Sequence, residues 1–574
     1  MRIANCSGFY GDRLAAAKEM VEGGPIDVLT GDWLAELTMG LLARQRQRDP
    51  DGGYPATFLT QLREVLGGCL DRGIKIVANA GGVNVDGCAR AVEALAAELG
   101  RPCRVARVLG DDVTALVAAR RDGGWPAPHL DTGEPLTGDP MLAHAYLGGW
   151  GIAAALAAGA DVVVTGRVTD AALVLGPAAW RHGWARDDWD ALAGAVAAGH
   201  VIECGAQATG GNYAFFTELS GLNRPGFPIA EVEADGSAVI TKHPGTGGAV
   251  TVETVTAQLL YESEGPRYAN PDVVARFDTL RLSREGPDRV RISGTRGEPA
   301  PDTLKVGLLV PAGWRNSMTF VLTGLDIEAK AALAEQALWA LLPRSAYPEV
   351  ETRLVRADRP DPARYADAVA YLTVAVRAAD QKLSRAFSAA AVQTALAGYP
   401  GLYFTEPPGA GTAVTEFWPT LLPAAEVRQE VELDGRRWPV PPTPPAAAPV
   451  TIPPPATPAP PAPADTARVP LGTVVGARSG DKAGNATLGL WARTDAAYAW
   501  LRDWLTDDRL RALLPEAAGC DLRRWELPHL RAVGYTLVGY LGRGVAGNLH
   551  LDVQAKGLAE YLRAKHADIP STLL

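Results

Sequence analysis

Five times in its first 170 residues the chain writes the same sentence: an apolar, β-branched run, a glycine-bearing turn, then a stretch rich in Ala and Leu. The five are MRIANCSGFYG, IDVLTGDWL, IKIVANAGGVN, CRVARVLGDDV and ADVVVTGRVTDAAL. None of the runs alternates apolar with polar residues. Strands buried on both faces read this way, and they belong to parallel sheets covered by helices. The intervening runs LAAAKEMVEG, WLAELTMGLLARQRQ, CARAVEALAAELG and VTALVAAR read as those helices. The expected architecture is therefore α/β, a mostly parallel sheet with helices on both faces.

At 574 residues the chain exceeds one hydrophobic core. An α/β core is expected over 1–225. From about 226 the texture changes: ADGSAVITKHP, GAVTVETVTAQLLYE, RVRISGTRG and LKVGLLVPAG read as strands, and EAKAALAEQALWALL and QKLSRAFSAAAVQTALA as helices. Residues 226–438 are thus an α+β continuation with a β-rich insertion. Residues 439–466 are rich in proline, which fixes φ and donates no backbone hydrogen bond, so a semi-extended linker is expected there. Residues 467–574 read as a small α+β domain.

Composition excludes several classes. Net charge is −10 and no Lys/Arg block stands out, which argues against a nucleic-acid surface. No apolar run is long enough to span a membrane, and the N-terminus lacks the apolar centre of a signal peptide. Six scattered cysteines without a CxxC pair fit a reducing cytoplasm and no structural metal site.

The strand-to-helix turns are where an open parallel sheet binds ligands. Glycine admits close approach, and helix N-termini present amides to anions. Ser7, Gly8 and Arg13, Asp32, Asn79, Gly81 and Gly82, and Thr165 and Arg167 are accordingly expected to line one rim as ligand-binding residues. Asp12, Asp32, Asp86, Asp111 or Asp112, and Asp170 each precede a helical run, where Asp caps helices. A Mg²⁺ held by this carboxylate rim is the alternative. Arg13 and Arg167 can clamp a phosphate or carboxylate, or pair with a rim Asp.

HVIECGAQATGGNYAFF, 200–216, is the densest stretch. Glu203 is the candidate proton carrier, with Asp170 and Lys242 as further catalytic candidates. Gly210 and Gly211 are candidate oxyanion donors, with Asn212 beside them. Cys204 reads either as a nucleophile or as a small core hydrophobe. Lys242 and His243 precede a Gly-rich turn. In the C-terminal domain, ARSGDKAGNATLG reads as a polar loop between two strands, carrying Ser479, Asp481, Lys482 and Asn485, and GRGVAGNLH, 542–550, is a similar loop. Two such loops suggest a lid or a partner face.

SGFYGDR, IDVLTGDWLAELTM, KIVANAGGVN, TGRVTDAAL, ECGAQATGGNY and RAFSAAAVQTALAGYPGLYFTEPPG resemble the acyclic terpene utilisation AtuA family. VVGARSGDKAGNATLGLWAR resembles that family's C-terminal ferredoxin-like domain. The resemblance implies a role in breakdown of acyclic terpenoid or branched-chain acyl-CoA, beside biotin-dependent acyl-CoA carboxylases. The expectation is then a catabolic enzyme of hydratase/lyase type, with a coenzyme A thioester as small-molecule substrate and Glu203 moving protons. The alternative is a non-catalytic assembly partner of an acyl-CoA carboxylase. A homo-oligomer is the default for large α/β enzymes.

Overall fold

The structure is a computed structural model that describes residues 1–443 and 465–574. The expected Pro-rich linker lies largely outside them. All five anticipated strands form: β1 (Arg2–Asn5), β2 (Val28–Gly31), β3 (Lys75–Ala78), β4 (Val105–Leu109) and, after β5 (Leu142–Ala145), β6 (Val162–Thr165). They pair in parallel in the order β1-β2-β3-β6-β4. Val77, Val162, Val163 and Val164 are wholly buried, the physical reason these runs carry no polar alternation.

The sheet as a whole is not mostly parallel. It has eleven strands. Beyond β1 it continues antiparallel through β7 (Pro228–Val232), β8 (Ala238–Lys242) and the strands Arg289–Ser293 and Arg281–Gly286. Beyond β4 it continues antiparallel through Glu430–Leu433 and Arg436–Pro439. The reason is connectivity. Short turns join most of the later strands in hairpins, which force antiparallel pairing. A second, antiparallel sheet is built around the long strand Thr303–Thr323, and β5 joins it instead of the parallel sheet.

Helices pack on the main sheet, among them α1 (Ala16–Glu22), while α2 (Glu36–Arg48) packs on the second sheet through Met39 and Leu42; α3 (Ala56–Arg72), α4 (Val85–Glu98), α5 (Thr114–Asp122), α6 (Trp150–Ala157), α7 (Ala172–His182) and α8 (Trp189–Ile202) follow. The next, α9 (Val252–Leu260), replaces the strand expected for GAVTVETVTAQLLYE. Its β-branched residues favour a strand, but a capping box overrides them. Thr251 Oγ1 accepts from the Thr254 N–H at 3.1 Å, and Thr254 Oγ1 accepts from the Thr251 N–H at 2.9 Å.

The C-terminal domain is a four-stranded antiparallel sheet with its own core around Tyr498, Leu501, Tyr535 and Leu562. Its supposed polar loop is strand. Val475–Lys482 and Asn485–Ala492 run through ARSGDKAGNATLG and meet at a two-residue turn, Ala483-Gly484. Gly480 is required by packing: a Cβ there would sit 2.6 Å from the Tyr261 ring just after α9. The sheet therefore lies against the body. Arg478 donates to Gln207 Oε1 at 2.7 Å and to Asn212 O at 3.2 Å. The 542–550 loop docks as well, its Gly547 and Asn548 carbonyls accepting from Arg377 at 3.3 Å and Arg315 at 3.2 Å.

Candidate functional site

The strand-end turns do converge. Asp32 N–H donates to Ser7 O at 2.9 Å, Gly81 N–H to Thr165 O at 2.9 Å, and Asn79 Nδ2 to Asp32 Oδ1. Their amides, however, are already bonded within the protein. The Ser7 N–H donates to Asn5 Oδ1, Gly8 N–H to Asp12 Oδ2 at 2.8 Å and Gly82 N–H to Asn79 O. Gly210 N–H donates to Gln207 O at 3.2 Å and Gly211 N–H to Ala206 O at 2.9 Å, so neither is free to hold an oxyanion. The 205–212 turn instead receives the C-terminal domain, with Asn212 in the left-handed region at φ 57°.

Other expected residues are similarly committed. Arg13 bonds Glu19 at 2.8 Å and Pro225 O at 2.7 Å and covers the Phe227 ring. Lys242 bonds Thr246 O at 2.7 Å and lies 3.1 Å from Asp288. His243 bonds Met20 O. Thr165 Oγ1 bonds Gly166 O. Burial pushes the Cys204 thiol well up, which removes its thiolate and with it the nucleophile reading. Of the rim acids, Asp12 bonds local amides, Asp86 pairs with Arg107 at 3.4 Å and Asp112 accepts from Thr114 N–H. The helix α4 is capped by Asn84, accepting from Gly87 N–H at 3.0 Å, and not by Asp86. Among the described residues no group of three or more His, Cys, Asp or Glu side chains could hold a metal ion.

What remains is a buried charged cluster one layer deeper. Arg167, at the end of β6, sits at its centre. Its guanidinium donates to Asp170 Oδ1 at 2.9 Å and Leu34 O at 3.0 Å and stacks on Tyr146 at 4.5 Å. Its backbone N–H donates to Asp111 Oδ2 at 2.8 Å. Burial and the nearby Asp170 push the Asp32 carboxyl well above the carboxylate range, against the pull of Arg167 and Asn79.

Glu203 closes α8 on the other side of Asp170. The helix is apolar all round and buried, so its last turn delivers a carboxylate into the interior. Oε1 lies 3.2 Å from His200 Nδ1, while Oε2 is buried without a partner. Burial raises the carboxyl to about 7, with His200 opposing and Asp170 and Glu262 adding to the rise. His200 is wedged against Tyr268 and Phe277, ring centroids 4.8 and 5.6 Å away. Arg167 Nε, Thr169 Oγ1 and both nitrogens of His144 are also buried without hydrogen-bond partners. Such atoms are uncommon in a folded interior, where most buried polar groups are paired with protein or ordered water.

The antiparallel sheet and the C-terminal domain supply the far wall. Lys305 reaches toward Glu36, 4.0 Å away, over the rings of Tyr146 and Phe417. Burial raises Glu36 to about 7. Lys556 donates to the Tyr261 hydroxyl and lies 3.4 Å from Asp481 and 3.7 Å from Glu262. Next to the cluster opens a cavity of about 180 Å³ lined by Arg46, Gly82, Gly110, Asp111 and His144. It meets the cluster through Asp111 and His144, not through Glu203. Burial, Arg167 and Lys305 hold His144 neutral, with its pKa down near 3. His144, Glu262, Tyr268 and Lys305 went unread in the sequence, because no local spacing ties them to Glu203.

A family profile described as acyclic terpene utilisation family protein AtuA matches residues 1–433. A second, described as the AtuA ferredoxin-like domain, matches residues 469–568. No curated protein and no solved structure matches the chain.

Proposed function

The chain belongs to the acyclic terpene utilisation AtuA family, and from that premise we propose that it is a catabolic enzyme moving a proton on a branched-chain or acyclic terpenoid acyl-CoA. The reaction class is hydratase or lyase: addition or removal of water, or of a carbon fragment, beside a thioester carbonyl. The observation that carries this reading is Glu203. Its carboxyl is poised near neutral pH, with one oxygen 3.2 Å from His200 Nδ1 and the other buried and unbonded. A base so tuned holds its proton weakly enough to give and strongly enough to take near pH 7. Asp170, paired with Arg167, adds negative charge that favours the protonated form of Glu203. The acyl-CoA substrate follows from the sequence resemblance.

The test is Glu203→Gln, which keeps the shape and removes the base. Turnover of 3-hydroxyacyl-CoA or 2-enoyl-CoA esters, and exchange of the α-proton with D₂O, should fall at least ~100-fold, with the melting temperature lowered little or raised. Unchanged exchange in a folded variant refutes the assignment. If the variant also supports normal acyl-CoA carboxylase assembly and flux, the non-catalytic partner reading takes its place.

A further inference from the structure

The cavity beside the charged cluster lies at the carboxyl ends of the parallel strands, where an open sheet binds ligands. β6 separates β3 from β4, so the turns after β3 and β4 stand two strand spacings, about 10 Å, apart. The cavity occupies the gap. Its β3 side offers hydrogen-bond donors. The N–H groups of Val85 and Asp86, which open α4 and line the cavity, have no acceptor among the described residues. Arg46, in the last turn of α2, joins them: its guanidinium donates to the Val83 carbonyl. Asp86, the acid on this side, pairs with Arg107 at 3.4 Å.

The β4 side offers acceptors and an imidazole. His144 lines the cavity beside Asp111 and Asp112, and its backbone bridges to Asp112. Its ring is 1% exposed, and neither nitrogen has a hydrogen-bond partner. Burial keeps the ring neutral, so one nitrogen donates and the other accepts. Gly307, paired with it across the second sheet, leaves it room: a Cβ there would stand 2.8 Å from Nε2. Met39, Leu109 and Leu142 make the rest of the wall apolar. Liquid water takes about 30 Å³ per molecule, so a space of about 180 Å³ holds roughly six waters' worth, more than one bridging water. It is smaller than the ~300–1,000 Å³ of sites for drug-sized ligands, and a coenzyme A ester does not fit.

We infer that this cavity is a binding site for a short-chain hydroxycarboxylic acid, with its carboxylate on the α4 amides and Arg46, its hydroxyl at His144 and Asp111, and its carbon chain against Met39 and Leu142. An anion alone leaves the imidazole unbonded, and a polyol alone leaves the helix amides and the guanidinium without their counter-charge. A molecule carrying both groups on a short apolar chain satisfies the two sides together. The site is for binding only, and no bond is made or broken in it. Glu203 does not line it, so the inference stands apart from the proton-transfer reading.

The experiment is calorimetric titration of the full chain with 3-hydroxybutyrate as probe, butyrate as the ligand lacking the hydroxyl and 1,3-butanediol as the ligand lacking the carboxylate. The probe should bind with a Kd below ~10 mM, and each comparator at least fivefold more weakly. Absence of binding means that the cavity holds water only and overturns the inference, as does butyrate or the diol binding as well as the probe. Arg46→Gln, at an exposed position, should weaken the probe at least fivefold. Unchanged affinity in that variant places the probe elsewhere and overturns the inference. His144→Phe should weaken the probe at least fivefold and bring it level with butyrate, because the hydroxyl has lost its partner. A probe that keeps its advantage over butyrate in folded His144→Phe also overturns it. Should His144→Phe fold poorly, the comparators and Arg46→Gln decide the matter.

Discussion

Two layers of the same strand ends behave in opposite ways. The outer rim, from Gly8 through Gly81 and Gly82 to Gly210 and Gly211, has the glycines and turns associated with ligand binding, and its amides are satisfied internally. The inner layer, Arg167, Asp170, Asp32, Glu203 and His200, also follows glycines, Gly31 before Asp32 and Gly166 before Arg167, but its side chains leave buried polar atoms unbonded. The rim glycines are there because strands and helices pass close. The inner acids are there despite the cost of burying them, which a fold does not require. Unsatisfied burial separates the two layers, and turn composition does not.

The comparison breaks most visibly at Arg167. It is the cation between Asp32 and Asp170, and its backbone also anchors Asp111. Arg167→Met leaves acids facing one another without their counter-charge, and removing one partner of a buried ionic group typically costs about 3–5 kcal/mol. Chemical denaturation should show that loss. A loss under ~1 kcal/mol would mean the inner layer is wetter than its burial implies, and the contrast between layers would weaken.

The pH dependence sharpens the contrast next. Glu203, Glu36 and Asp111 are all raised to about 7 by burial, and Asp272 to about 6. The folded protein binds their protons more tightly than the unfolded chain does. Their contribution to stability is therefore fully present below the unfolded value of about 4, and it is lost as pH rises through 6 to 7. Stability should fall across that window. At ~1.4 kcal/mol per pKa unit, the rise of Glu203 from 4.5 to about 7 means that Glu203→Gln should flatten the fall by roughly 3 kcal/mol. Turnover should move the other way, rising through pH 7 as Glu203 ionises. A melting temperature that climbs from pH 5 to pH 8 contradicts the assignment of these groups.

Much of this was legible in the sequence. The five parallel strands were readable because burial on both faces removes polar alternation, and Arg167, Asp170 and Glu203 stood out in their motifs. The two strands flanking the Ala483-Gly484 turn were legible, but the turn between them was read as a longer polar loop because glycine and charge dominate it locally. Only the packing of Tyr261 against Gly480 and the burial of Ala483 in the body explain that composition. The helix α9 was misread because β-branched propensity is a weak prior beside a capping box. The acids that act on Glu203, Asp170 and Glu262, come from segments tens of residues away, and no periodicity records such meetings.

The finest test separates packing glycines from ligand-binding ones directly. A Cβ at Gly81 would stand 2.5 Å from the Thr165 carbonyl oxygen and 2.8 Å from a Val85 methyl, so strand β6 or helix α4 must shift to admit it. Overpacking of this kind costs about 1–3 kcal/mol. At Gly286, on the exposed strand Arg281–Gly286, a Cβ meets nothing within 4 Å, and Gly286→Ala should change stability by no more than ~0.5 kcal/mol. If the rim only packs, Gly81→Ala loses stability while the KM for acyl-CoA stays near that of the parent wherever the variant is folded. If the rim holds substrate phosphate or carboxylate, KM rises even at temperatures where the variant is fully folded, and the division between an inert rim and a functional interior gives way.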